Sequence, residues 1–202
     1  MKKIMFNDRY GLTEAVLQGR KTMTRRIATS LSISEPNIGW VTKGKGKGKR
    51  VICRGFEVVA KSYYAKGEIV AISQCYAKLN AQGLLLDDGK QTLANSKGWS
   101  NKMYVKADLM PHQIRITDVR IERLQDISDD DCLREGIYVS KTYPKFGVHN
   151  GYSPNCAVDS KEPKTWFDSP RKAFSVLIDG VSGKGTWKSN PFVFVYEFEL
   201  IK

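Results

Sequence analysis

Residues 192–201 restrict the fold more than any other stretch of this chain. Phe192, Phe194, Tyr196 and Phe198 alternate there with Val193, Val195, Glu197 and Glu199. Side chains of a strand point to opposite faces in turn, so this run predicts a strand buried on both faces at its start and on one face at its end. Residues 113–124 carry a second alternation. Ile114, Ile116 and Val119 are apolar between Arg115, Thr117 and Arg120. The parity slips by one residue between Ile116 and Val119, which predicts a β-bulge near Thr117 or Asp118. Shorter strands are predicted at 3–6, 51–60, 67–72 and 103–106.

Three short helices complete the set. The first runs over 10–18, with Leu12, Ala15 and Val16 on one face and Gly19 at its C-terminal end, where a left-handed residue is needed. The second lies in 127–137. Ser128 is its N-cap, Asp131 sits in the capping-box position and Gly136 ends it. Asp129, Asp130 and Asp131 suit a helix N-terminus, and their spacing matches no cation-binding loop, so no metal site is read here. The third opens at Ser169-Pro170, carries Phe174, Val176, Leu177 and Ile178, and is expected to stop near Gly180.

Residues 77–101 and 138–166 are expected to be irregular insertions. The stretch 43–50 alternates Gly and Lys, so it is a loop that cannot bury a face, whether it grasps phosphate or only adds positive charge. About six strands and three helices without βαβ alternation predict an α+β fold. Its mixed, mostly antiparallel sheet would close into a small barrel with helices flanking it, which hides the sheet edges. The 202 residues are expected to form one domain.

The charge points to a partner. With 33 Lys and Arg against 21 Asp and Glu, the formal net charge is +12. Nucleic acid is the first expectation for such a chain. No apolar run approaches the ~20 residues of a bilayer span, so no membrane is implied. Cys53, Cys75, Cys132 and Cys156 are scattered and form no Cys-x-x-Cys pair, which fits reduced thiols in the cytoplasm. Cys132 falls inside a predicted helix as a packing residue. No cofactor is implied.

The positive charge is most concentrated where the first helix ends. Gly19-Arg20-Lys21-Thr22-Met23-Thr24-Arg25-Arg26 places four cations and two threonines in eight residues. The cluster suits an anion, with Arg20, Lys21, Arg25 and Arg26 as candidate ligands. It also suits chemistry at Lys21, whose ammonium the like charges disfavour. In a straight strand Lys21 and Thr24 would face opposite sides, so both reach one site only if the chain turns there. Trp187, Tyr76 and Trp40 are candidates to stack on a base, or to pack as ordinary aromatics.

Gly19-x-Lys21-x-x-x-x-Arg26 after a short helix resembles the signature of the ASCH domain, a relative of the PUA RNA-binding barrel. Three further stretches carry the resemblance: 67–72, 124–128 leading into Glu135-Gly136, and Trp187 with Asn190-Pro191 and the terminal aromatic strand. It spans the chain with insertions between, and is nearest to the longer ASCH proteins of prophages and mobile elements. It implies a PUA-like barrel with a cleft that binds RNA or a nucleotide. A small bacterial member is an amidohydrolase that deacetylates N4-acetylcytidine, and Lys21, Thr24 and Glu135 match its lysine, threonine and distant glutamate. Some members are reported to cleave RNA. For this chain the resemblance implies an RNA- or nucleotide-binding cleft, with amidohydrolase and then ribonuclease activity as alternatives. In an amidohydrolase Thr24 would be the nucleophile. Lys21 would be its base, or an oxyanion stabiliser with Glu135 as base or proton shuttle.

Overall fold

The computed structural model describes residues 1–29, 31–34, 49–53, 56–60, 62–85, 93–140, 151–154 and 165–201. In chain order its elements are β1 (Lys2–Ile4), α1 (Leu12–Leu17), β2 (Met23–Ile27), β3 (Leu31–Ser34), β4 (Lys49–Cys53), β5 (Phe56–Ala60), β6 (Ile69–Ile72), α2 (Tyr76–Ala81), β7 (Gln113–Arg123), α3 (Asp129–Arg134), β8 (Tyr138–Ser140), β9 (Gly151–Ser153), α4 (Pro170–Ser182), α5 (Thr186–Ser189) and β10 (Phe192–Leu200).

The two long alternating runs become the centre of the main sheet, which has the order β1-β6-β7-β10-β2. β10 pairs antiparallel with β7 on one side and β2 on the other. β6 is antiparallel to β7, and only β1 is parallel to its neighbour, β6. The β7–β10 register shifts where Glu197 faces Asp118 and Phe198 faces Ile116, which leaves Thr117 as the extra residue. The bulge expected from the slipped alternation is therefore present, and beyond it Ile114 and Ile116 keep their inward face. The early part of β10 is buried at every residue from Phe192 to Tyr196, as its two-sided apolar pattern requires. α1 and α4 add Leu12, Ala15, Val16, Phe174 and Leu177 to the core against the sheet.

The fold is α+β with a mixed, mostly antiparallel sheet, as expected, but no closed barrel is found among the described residues. Among the described residues, β1 and β2 are the two edges of the main sheet and pair only with β6 and β10 respectively. The remaining strands form a three-stranded sheet, β3-β5-β4, and the pair β8-β9. Closure is one way to hide sheet edges and side-chain bridges are another: here Arg26 of β2 donates to Met5 O just beyond β1.

Four local expectations also change. In place of one strand over 51–60 there are two, β4 and β5, which pair antiparallel. Residues 102–104 form a 3-10 turn rather than a strand, because the Asn101 side chain accepts from Met103 N. α4 runs through Gly180 to Ser182. The stretch 77–101 contains most of α2, while the insertion 138–166 contains β8 and β9. Trp40 and residues 43–48 of the Gly/Lys stretch lie outside the described residues. No helix among the described residues is long and apolar enough to cross a membrane.

Candidate active site

The chain reverses at Gly19, whose φ of 72° is the left-handed value a helix C-terminus calls for. Lys21 N then donates to Ala15 O, and Thr22 N to Arg134 O, before β2 begins at Met23. Lys21 therefore precedes the strand rather than alternating along it. That turn lets Lys21 and Thr24 line one cavity despite their odd separation.

Lys21 is 2% exposed. Its Nζ donates to Glu135 Oε2 at 2.6 Å and to the Glu135 backbone carbonyl at 2.7 Å. Glu135 is the C-cap residue of α3, so the ammonium serves both a carboxylate and a carbonyl at a helix end that lacks its own donor. Gly136 follows with φ 100°, and a Cβ there would lie 3.2 Å from Leu12 Cδ2 and 3.5 Å from the Lys21 stem. A glycine at this position both ends α3 and lets Lys21 pass beneath it.

Arg25 holds the other oxygen of the same carboxylate. Its Nη1 donates to Glu135 Oε1 at 3.1 Å, and Nη2 donates to Glu122 at 2.6 Å and Asp131 at 2.8 Å. Burial alone would make this guanidinium easier to deprotonate. The three carboxylates overcome that and hold it charged. The network continues outward. Arg120 reaches Asp131 at 2.8 Å, Glu122 at 3.1 Å and Glu197; Arg134 reaches Glu197 at 2.7 Å and Asp131 at 3.4 Å. Four cations (Lys21, Arg25, Arg120, Arg134) thus interlock with four carboxylates (Glu122, Asp131, Glu135, Glu197).

Asp131 was expected to close a capping box. Its backbone N–H does donate to Ser128 Oγ, but its carboxylate goes to Arg25, Arg120 and Arg134. Arg120, Glu122 and Glu197 were not foreseen as part of this site. One signal for them was in the sequence: polar residues at every second position on a central strand need partners on the same face.

Lys21, Thr24, Arg25, Arg26 and Glu135 all line a cavity of about 320 Å3. It lies against the edge strand β2. The segment Met5-Phe6-Asn7 forms one wall, and Phe174, Leu177, Ile178 and Val181 of α4 form another at helical spacing. Thr24 is 5% exposed, while the rim residues Ile27 and Val181 are each 39% exposed, so a buried floor opens to solvent. A second cavity of about 440 Å3 shares Met5, Arg26 and Ile27 with the first and adds Tyr63, Tyr64, Phe194 and Tyr196. Arg26 Nη2 donates to Met5 O at 2.5 Å, a side-chain bridge between β2 and the end of β1 where strand pairing is missing. Both cavities sit along this gap.

The other candidates lie apart. Arg20 donates to Gln18 Oε1 and lines neither cavity. Trp187 packs edge-on against Phe174 at 6.1 Å between ring centres, with the Arg171 guanidinium 5.5 Å from its own ring centre, and also lines neither. Tyr76 is a core residue whose hydroxyl accepts from Lys106 N. Cys132 is buried in α3, where burial pushes its thiol up to about 12, so it packs rather than reacts. Comparison of the chain with protein-family models, with curated proteins and with solved structures finds no match.

Proposed function

We propose that this chain is an ASCH-like amidohydrolase that removes an acyl group from the exocyclic amine of a nucleobase, with N4-acetylcytidine as the model substrate. The observation that carries the reading is the buried Lys21–Glu135 pair in one cavity with Thr24. Burying a charged pair costs several kcal/mol of desolvation that its hydrogen bonds must offset, and a buried pair facing a hydroxyl in a cavity is a catalytic candidate. The fold reading that accompanies it is PUA-like, with the barrel left open between β1 and β2 and the cavities set in that opening.

The residues divide the chemistry as follows. Thr24 Oγ attacks the acetyl carbonyl carbon, and its proton passes to Glu135. Each Glu135 oxygen accepts one hydrogen bond from a cation and keeps a second lone pair for that proton. Lys21 Nζ, held against Glu135, stabilises the oxyanion of the tetrahedral intermediate. The C–N bond then breaks as the exocyclic nitrogen takes the proton from Glu135, leaving an acetyl ester on Thr24. Water repeats the sequence and releases acetate. Arg25 touches no reacting atom in this scheme; it positions Glu135 by holding Oε1. A volume of ~300 Å3 suits a single base better than a long chain.

The test is release of cytidine and acetate in equal amounts from N4-acetylcytidine, followed by chromatography. Thr24→Val and Glu135→Gln are expected to lower kcat by ~100-fold or more, with Thr24→Ser retaining activity. No cytidine from the wild type, or full turnover by Thr24→Val, would overturn the reading.

A further inference from the structure

The cavity beyond Arg26 has a composition of its own. Tyr63, Tyr64, Tyr196 and Phe194 follow one another along it, with centroid separations of 4.8, 5.2 and 6.1 Å. Tyr64 and Tyr196 are fixed. The Tyr64 hydroxyl donates to Lys3 O, and the Tyr196 hydroxyl accepts from Tyr63 N at 3.2 Å. Tyr63 is 65% exposed and stands at the rim as an unusually open aromatic face. Lys2 Nζ lies 5.0 Å from the centre of the Tyr63 ring, but it also pairs with Glu68 at 2.9 Å.

Arg26 differs electrostatically from the rest of the motif. Lys21 and Arg25 are engaged by carboxylates, and Arg20 by Gln18. Arg26 bonds a backbone carbonyl, and no carboxylate among the described residues pairs with it. It is also the cation that lines both cavities. A guanidinium between a nucleoside-sized cavity and an aromatic groove is placed for one group in particular, a phosphodiester joining two nucleosides.

We propose that the aromatic groove is a subsite for a second nucleotide, so that the chain takes its base within a single-stranded nucleic acid rather than as a free nucleoside. This rests on the reading of the Lys21 cavity as a base site. The target base enters that cavity, the bridging phosphate lies on Arg26, and the neighbouring base stacks on Tyr63. Stacking on an aromatic side chain contributes ~1–3 kcal/mol per base with little regard to which base it is. The preference is then for a chain, not for a flanking sequence.

The experiment measures calorimetric binding of cytidine and of the dinucleotide cytidylyl-cytidine, so that no turnover is needed. Wild type is expected to bind the dinucleotide about tenfold or more tightly than cytidine. Tyr63→Ala should bring the dinucleotide close to cytidine and leave cytidine within about twofold; Tyr63→Phe should keep the preference. Arg26→Gln should weaken the dinucleotide and flatten its salt dependence. Equal affinity of wild type for the two ligands, or a preference that survives Tyr63→Ala, overturns the second subsite alone. Failure of both ligands to bind overturns the base site and the subsite together. Dinucleotide preference without hydrolysis of N4-acetylcytidine would overturn the amidohydrolase and leave the subsite standing.

Discussion

Lys21 and Glu135 form a pair, but they are not equivalent. Glu135 touches two buried cations, Lys21 through Oε2 and Arg25 through Oε1. Removing Lys21 leaves the carboxylate with Arg25. Removing Glu135 takes from Lys21 the carboxylate that holds its Nζ and from the fully buried Arg25 side chain one of its three carboxylates. Breaking a buried ion pair costs ~3–5 kcal/mol when it strands a charge. Glu135→Leu is therefore expected to lose about that much stability, and Lys21→Met roughly half of it or less. Urea unfolding at constant m measures both. Equal losses would mean that Arg25 does not hold Glu135 in the way the geometry indicates. On the amidohydrolase reading proposed above, the asymmetry also separates structure from catalysis, because Lys21→Met should abolish turnover while leaving the fold largely intact.

At the scale of elements, α4 forms one wall of the Lys21 cavity, and at Gly180 it passes under the tip of the Tyr10 side chain. A Cβ built on Gly180 would sit 1.9 Å from Tyr10 Oη and 2.7 Å from its Cζ. In an exposed helix, Gly→Ala stabilises by ~1 kcal/mol. Here the Tyr10 ring must first swing aside, so Gly180→Ala should lose that gain and cost up to ~1 kcal/mol. A second change, Tyr10→Leu, should restore most of the loss in thermal unfolding. Stabilisation by Gly180→Ala alone would disprove the contact. The same glycine explains why the end of α4 was misread. A glycine near a helix end signals a C-cap in sequence, but this one is a packing notch, and nothing local marks Tyr10 as its partner. Other elements were legible where the signal was local. The Thr117 bulge was written in a slipped alternation, Ser128 in its spacing to Asp131, and Gly19 in the end of an amphipathic run. The pattern over 103–106 predicts a strand, and the hydrogen bond that instead curls 102–104 comes from a single preceding asparagine. The juxtaposition of Lys21, Thr24 and Glu135 came from resemblance rather than from any local pattern. The carboxylates that brace Arg25 arrive from β7 and α3, 97 to 110 residues away in sequence. No periodicity reports contacts at that range.

For the whole molecule, the formal charge of +12 and the chemistry of the site are separate matters. The network around Arg25 contains four cations and four carboxylates and so adds nothing to the net charge. The positive excess belongs to the rest of the chain; on the reading proposed above it would draw polyanions generally, with recognition at the gap falling to Arg26. The network also ties stability to acid. The guanidiniums of Arg25 and Arg120 stay charged throughout, since the carboxylates beside them outweigh burial. What titrates is the acid side. The hydrogen bond from Arg134, opposed by partial burial and aided by Arg120, holds the Glu197 carboxyl below its ordinary 4.5. A group whose folded value is depressed stabilises the fold fully above the unfolded value and loses that contribution as pH falls through the folded one. Glu197→Gln should therefore be less stable than wild type at pH 7, by about 1 kcal/mol for a partly exposed pair. The two should converge as the pH drops well below 4.5. Urea midpoints for both proteins across that range give the answer, and a constant difference at every pH would show that the ionised state of Glu197 contributes nothing to holding β10 against α3.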